Sequence, residues 1–141
     1  MTNKDLFWYE PKGKEEDIPD HLFWVPCRKV ADEGDKYQVE IVGEDDEEDE
    51  PLYINKSEAR VVHPTVLEKL GNLLDLGEFD EGSLLHVIRA RFYDRNIYTN
   101  IGSPILIAVN PYQKLPELFN TKVARKYRVE SLNIAKGMKP K

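Results

Sequence analysis

Histidine and cysteine are the side chains best suited to metal binding and nucleophilic chemistry near neutral pH. This chain has only His21, His63, His86 and one cysteine, Cys27. They are scattered, with none of the ligand spacing that a zinc site requires. No Ser or Cys is placed with a histidine as an activated nucleophile. A lone cysteine also forms no intrachain disulfide, which points to a reducing compartment. Phosphate binding calls for a Gly-rich loop whose backbone N–H groups cradle the anion, followed by Lys and Ser/Thr. No such G-x-x-x-x-G-K-[ST] run occurs, and Gly13-Lys14 is followed by Glu15. Trp24 and Tyr37 could wall half of an aromatic cage for a methylated lysine, but ordinary core packing is the simpler use for both. His86 lies among apolar helical residues and reads as a packing histidine. Asn110-Pro111 directly follows the uncharged run Ile105–Val109; taken alone, the pair marks a strand end and a turn.

The bulk numbers narrow the class. The 141 residues are 40% hydrophobic and 33% charged, with a net charge of −6, enough for one domain or two small units. The negative balance argues against wholesale binding of nucleic acid or anionic membrane. Charge is unevenly distributed: seven acidic residues run from Glu44 to Glu50, whereas Tyr112 to Lys141 carries eight Lys or Arg against two Glu. No stretch approaches the roughly 18 apolar residues of a membrane helix, and Met1–Pro11 lacks the features of a signal peptide. The cytoplasm is the expected location.

The patterning predicts a small β unit followed by helices. Met1–Asp20, with Pro11, Gly13 and Pro19, reads as an irregular lead-in. Strands are expected at His21–Val25, stopped by Pro26, at Tyr37–Ile41 by period-two alternation, at Leu52–Ile54, and at Ala59–His63. Asp32–Asp35 is a turn by composition. The acidic run is read as a solvated hairpin loop, with a docking site for a basic partner as the alternative. These strands suggest a small antiparallel barrel, too small to be stable without support. Val66 to Leu76 then shows mostly helical apolar spacing, broken by Gly71 and Gly77. Ser83 is placed as the N-cap of a helix through Phe92, with Asn96–Thr99 as a strand and Asn100–Ser103 as a turn. Ile105–Val109 resembles a strand buried on both faces. A further helix is expected from Thr121 to about Tyr127, and Arg128–Lys141 shows no clear period.

One stretch matches a family pattern closely. Ser83-Leu84-Leu85-His86, Arg91-Phe92, Ile97-Tyr98-Thr99, Gly102, the run Ile105–Val109 and Asn110-Pro111-Tyr112 follow in order over some forty residues. This resembles the opening of the myosin motor domain. Upstream, Phe23-Trp24-Val25-Pro26 and the strands after it look like the Src-homology-3-like barrel that precedes that core in many myosins. The resemblance covers about Leu22 to Tyr127. It implies actin-activated ATP hydrolysis in the intact head, with ATP and Mg as cofactors, and actin filaments and the rest of the motor as partners. In that family the loop after Asn-Pro lies against the adenine and a Tyr about eight residues on packs near the base. Carried over, Asn110 and Pro111 match, and Lys114 stands where a basic residue is common. Leu118 occupies the ungapped position of the Tyr, and Phe119, one residue on, could stack in its place.

The expectation is therefore a mixed α and β chain. Residues 1–20 are the lead-in, 21–65 a small antiparallel Src-homology-3-like β-barrel, and 66–141 an incomplete α/β P-loop motor core. Asn110, Pro111, Lys114 and Phe119 are the adenine-side candidates, with no catalytic or metal-ligating residue. These residues alone are expected neither to bind ATP nor to hydrolyse it, and to act in the cytoplasmic cytoskeleton without nucleic acid or a membrane span. The alternatives are a free-standing protein-interaction module built on the barrel and, further off, a regulatory decoy that competes with an intact head.

Overall fold

The computed structural model describes residues 5–12, 24–43 and 51–137. The acidic run, Gly13-Lys14, His21 and most of the expected His21–Val25 strand lie outside them. The chain divides into two compact units, Met1–Val109 and Asn110–Lys141.

In the first unit, β1 (Leu6–Tyr9), β2 (Val25–Glu33), β3 (Lys36–Ile41) and β4 (Leu52–Asn55) form one antiparallel sheet in sequence order. β1 comes from the stretch read as irregular lead-in; four residues flanked by charge and proline are too short to show a period. Pro26 does not stop a strand but is the second residue of β2, opposite Trp8, near the strand start where a missing donor is tolerated. The β2–β3 turn is set by Gly34, whose φ of 61° favours glycine. β3 lies where alternation placed it, and β4 lies at the strand expected after the acidic run. Ala59–His63 is not a regular strand: it makes a single bridge, Val61 to Phe7. Two hydrogen bonds, Trp8 N–H to the Arg60 carbonyl and Val62 N–H to the Leu6 carbonyl, both 2.9 Å, hold it along the free edge of β1. The sheet is thereby curled into a half-barrel, compatible with a Src-homology-3-like barrel.

The pleat sends alternate side chains to opposite faces, and β1 buries both. Phe7 joins Cys27 and Val39 inside the curled sheet and stacks on Tyr37 at 5.2 Å. Leu6 and Trp8 join Val62, Val66, Leu73 and Val87 on the other side. This second core reaches α1 (Glu81–Tyr93) and the segment before it. That segment, whose mostly helical spacing is interrupted at Gly71, forms no α-helix. It makes two 3₁₀ turns, Pro64–Leu67 and Leu73–Asp75, capped by His63 and Asn72. The Asn72 carboxamide oxygen accepts from both Leu74 N–H at 3.2 Å and Gly102 N–H at 2.9 Å; side-chain bonds of this kind compete with helix propagation.

α1 is capped three residues earlier than expected. Asp80, not Ser83, is the N-cap, accepting the Ser83 N–H at 3.0 Å; Ser83 sits inside the first turn and is buried. Gly82 lies against the tryptophans: a Cβ there would come within 3.1 Å of Trp24 and 3.3 Å of Trp8. His86 packs edge-on to Trp8 at 6.1 Å. Arg89 donates to the Trp24 carbonyl at 3.1 Å and contacts His86 Nδ1 at 3.3 Å.

After α1, β5 (Tyr98–Ile101) and β6 (Ile105–Ala108) form a two-stranded antiparallel hairpin. The expected turn at Asn100–Ser103 is displaced, because Asn100 and Ile101 belong to β5. Among the described residues β6 pairs only with β5, and Ile105 and Leu106 are exposed rather than buried. Arg91 anchors the hairpin: Nε donates to Thr99 Oγ1 at 3.0 Å, Nη1 to the Lys69 carbonyl at 3.1 Å and Nη2 to the Tyr98 carbonyl at 2.9 Å.

Two predictions follow from this packing. Burial, then the neighbouring Arg89, lowers the His86 pKa to about 4 from an unfolded value of 6.5. The unfolded chain therefore binds the extra proton between those values. Stability should be full above about pH 6.5 and fall by on the order of 2–3 kcal/mol as pH drops to about 4. Urea unfolding should show that slope in the native chain and lose it in His86→Gln. Arg91→Ala, which leaves the buried Thr99 hydroxyl without its donor, should cost about 2 kcal/mol. Arg91→Lys should recover little of it, because an ammonium cannot reproduce the planar fork.

Candidate functional site

β6 ends where Val109 N–H donates to the Ile97 carbonyl at 2.9 Å, and the chain then enters the second unit at Asn110. Proline at 111 supplies no N–H, so the turn is closed one residue later. Asn110 Oδ1 accepts the Tyr112 N–H at 2.9 Å, the side-chain mimic of a turn that Asn favours. Tyr112 is held at a φ of 49° and its ring is 92% exposed. A left-handed non-glycine residue is a small store of backbone strain. The loop is tied again downstream. Leu115 is buried, and its carbonyl accepts the N–H groups of Leu118 and Phe119, each at 3.0 Å. Asn120 Nδ2 donates to the Pro116 carbonyl at 2.7 Å, while its Oδ1 accepts Val123 N–H at 2.9 Å as the N-cap of α2 (Thr121–Ala135). α2 starts at the expected residue but continues eight residues past Tyr127, through sequence that shows no clear period.

All four adenine-side candidates thus fall on one loop between β6 and α2. Asn110 and Lys114 are exposed and Pro111 is half-buried, while Phe119 is 60% exposed. A hydrogen bond unites Asn110 with the backbone of Tyr112, a residue left out of the candidate set although its spacing from Asn110 could have marked it. Lys114 makes no ion pair among the described residues. The phenyl ring of Phe119 and the phenol ring of Tyr112 are the loop's two large exposed apolar surfaces.

The other chemical candidates are occupied by packing. Trp24 and Tyr37 form no shared cage. Arg60 already lies over Trp24, 4.4 Å from the ring centroid, and Lys29 and Lys56 lie 5.3 and 5.0 Å from that of Tyr37. The two rings also border different cores. Burial pushes the Cys27 thiol up to about 12, and its Sγ donates to the Phe7 carbonyl at 3.3 Å, so it stays a protonated core group. No group of three or more His, Cys, Asp or Glu among the described residues is arranged to hold a metal. None of their helices is long and apolar enough to cross a membrane. A cleft of about 760 Å³ opens elsewhere, on the sheet, where Tyr9, Pro11, Tyr53 and Ile54 line it beside the Lys12–Glu58 ion pair.

The turn at Asn110 yields a local prediction. Asn110→Ala removes one largely solvated hydrogen bond, worth about 0.5–1.5 kcal/mol. Hydrogen exchange at the Tyr112 amide should quicken by about threefold to tenfold, with the Val109 amide unchanged.

Comparison with known proteins is consistent with the order of these elements. The family model described as "Myosin head (motor domain)" matches residues 70–140. Myosin-VIIa of Drosophila melanogaster is 33% identical over 117 residues, 82% of this chain and 5% of that protein. Myosin-H heavy chain of Dictyostelium discoideum is 38% identical over 98 residues, 66% of this chain and 5% of its own length. Myosin-2 of Saccharomyces uvarum is 30% identical over 128 residues, covering 85% and 8%. The chain therefore spans less than a tenth of the length of these relatives. With the family match spanning α1, the β5–β6 hairpin, the Asn110–Tyr112 turn and α2, the chain belongs to the myosin head (motor domain) family.

Proposed function

We propose that these residues are a segment of an actin-based motor, and that the loop after β6 forms the adenine side of a nucleotide site completed by sequence outside them. The expected division into a barrel at 21–65 and a motor-core segment at 66–141 is part of this reading, with β1 (Leu6–Tyr9) added to the barrel's sheet. The match of residues 70–140 to the motor-domain family carries it, because that span includes every adenine-side candidate. Actin filaments and the remainder of the motor are the partners, and the cytoplasmic cytoskeleton is the location.

The residues fit one end of ATP only. Asn110 and Pro111 offer a fixed turn, Phe119 an exposed ring for stacking, and Lys114 an uncommitted cation. The phosphates and their magnesium need a Gly-rich cradle with Lys and Ser/Thr, and the 141 residues contain none. ATP bound in a complete site would supply the phosphoanhydride whose hydrolysis drives movement. The part played by this loop is to bind and orient the base. With only the adenine contacts present, affinity should be weak, since the phosphates provide most of the charge for recognition.

The cleft on the sheet supports a second reading, a protein-interaction module, because its aromatic and proline lining would suit an extended peptide. It is the weaker one: four of the five charged groups there already pair with each other, Lys12 with Glu58 and Arg60 with Glu10.

A fluorescent-ATP titration with magnesium on the 141-residue chain tests the motor reading. No saturable binding up to high micromolar nucleotide is expected. Saturable binding lost in Asn110→Ala would mean that these residues form a nucleotide site of their own and would overturn the partial-site reading. In a longer head carrying the same loop, Phe119→Ala should raise the KM for ATP about tenfold, the scale of one lost aromatic contact. An unchanged KM would remove Phe119 from the site.

A further inference from the structure

The second unit differs from the first in charge. Residues 110–141 carry eight Lys or Arg against two Glu, a net of +6, which leaves −12 on residues 1–109 of a chain at −6 overall. Most of the positive charge is on or beside α2, none of whose residues is buried. Alternating steps of three and four place Lys122, Arg125, Val129, Leu132 and Lys136 on one face, with Lys126 and Arg128 flanking it. Val129 is 55% and Leu132 53% exposed, and the five cations are exposed as well. Lys126 reaches Glu130 at 3.9 Å; Lys122, Arg125, Arg128 and Lys136 have no ion pair among the described residues. Of the half-buried positions of the helix, Val123 and Glu130 lie away from this face, and Asn133 lies at its edge between Lys122 and Lys126.

We propose that this face of α2 docks on an anionic phospholipid surface. The inference is independent of the nucleotide loop and requires no membrane-spanning segment. Its charge is complementary to acidic headgroups. A cluster of four to eight Lys or Arg on a helix is the density at which such surfaces are recognised. The occupant is a flat surface rather than a grooved protein because the cations form a broad arc around two aliphatic residues. A groove would take a narrow apolar ridge of anchors, and here Val129 and Leu132 stand between cations. Their side chains would enter the headgroup boundary while the Lys and Arg stems lie along it, heads towards phosphate. The −12 carried by the first unit would be repelled by the same surface, so binding would be confined to this end of the chain and sensitive to salt.

Co-sedimentation of the whole 141-residue chain with vesicles tests this, using phosphatidylcholine alone or with about thirty per cent phosphatidylserine. The expected result is pelleting with the anionic vesicles only, lost as salt rises from about 0.05 to 0.3 M. Reversing two cations, Arg125→Glu with Arg128→Glu, should weaken it at least about tenfold. Tyr127→Ala, on the other face, should leave it unchanged. Circular dichroism shows whether α2 persists in the reversed variant; if it does not, the milder pair Lys122→Gln with Arg125→Gln should still give a several-fold loss. Equal binding to neutral vesicles, binding to neither, or unchanged binding in both variant pairs would overturn the proposal. So would polyglutamate binding as tightly as the anionic vesicles, which would assign the face to an acidic protein partner.

Discussion

Strand β1 is four residues long and has no solvent face. Phe7 points into the curled sheet, while Leu6 and Trp8 point into the core shared with α1 and the 3₁₀ turns. Both its hydrogen-bonding edges are occupied, by β2 on one side and by residues 60–62 on the other. A sheet of this size buries too little apolar surface to be secure alone. Sharing β1 between two cores removes that difficulty, but it also means that the barrel and the following helix cannot be separated without exposing Leu6 and Trp8. Gly82 permits the close approach, since any side chain there would meet two indole rings. His86 and Arg89 seal the same boundary from the helix side, which is why the imidazole is held neutral.

From that boundary outward the structure becomes progressively less buried. α1 is fixed to the core through Val87, Leu84 and Ile88. It fixes the hairpin in turn through the fork of Arg91, whose three acceptors come from two separate segments. The hairpin carries Ile105 and Leu106 with their side chains largely in solvent, and the Asn110 turn follows it. The loop that starts at Asn110 has its own two large rings, Tyr112 and Phe119, exposed. The second unit, by contrast, is distinguished by charge rather than by a core.

Several features were legible in local sequence. Period-two alternation located β3, and Gly34 marked the turn between β2 and β3. The ordered motifs from Ser83 to Tyr112 identified the family. The failures share a cause. Asp80 and Ser83 are both good caps three residues apart, and only the burial of Ser83 decides between them. The leucines from Leu67 to Leu76 have helical spacing, yet Asn72 reaches Leu74 and Gly102 and breaks the segment into turns. The Ile105–Val109 run is not among them: it has the composition of a doubly buried strand whose sheet is built mostly from other sequence, and among the described residues it pairs only with β5.

Sequence alone determined the missing Gly-rich phosphate cradle, the separation of negative and positive charge along the chain, and the Asn110-Pro111-Tyr112 turn. Each depends on residue type and near-neighbour spacing, which a linear reading captures. Tertiary structure decided that β1 exists, that residues 60–62 close its edge, that Trp24 and Tyr37 belong to different clusters, and that Arg91 is the hairpin's anchor. Those outcomes rest on contacts between residues far apart in sequence, such as Arg89 with Trp24, 65 positions away. The free energy of such contacts comes from burial and from satisfying polar groups away from water. No local window contains both partners, so their pairing becomes visible only once the chain has folded.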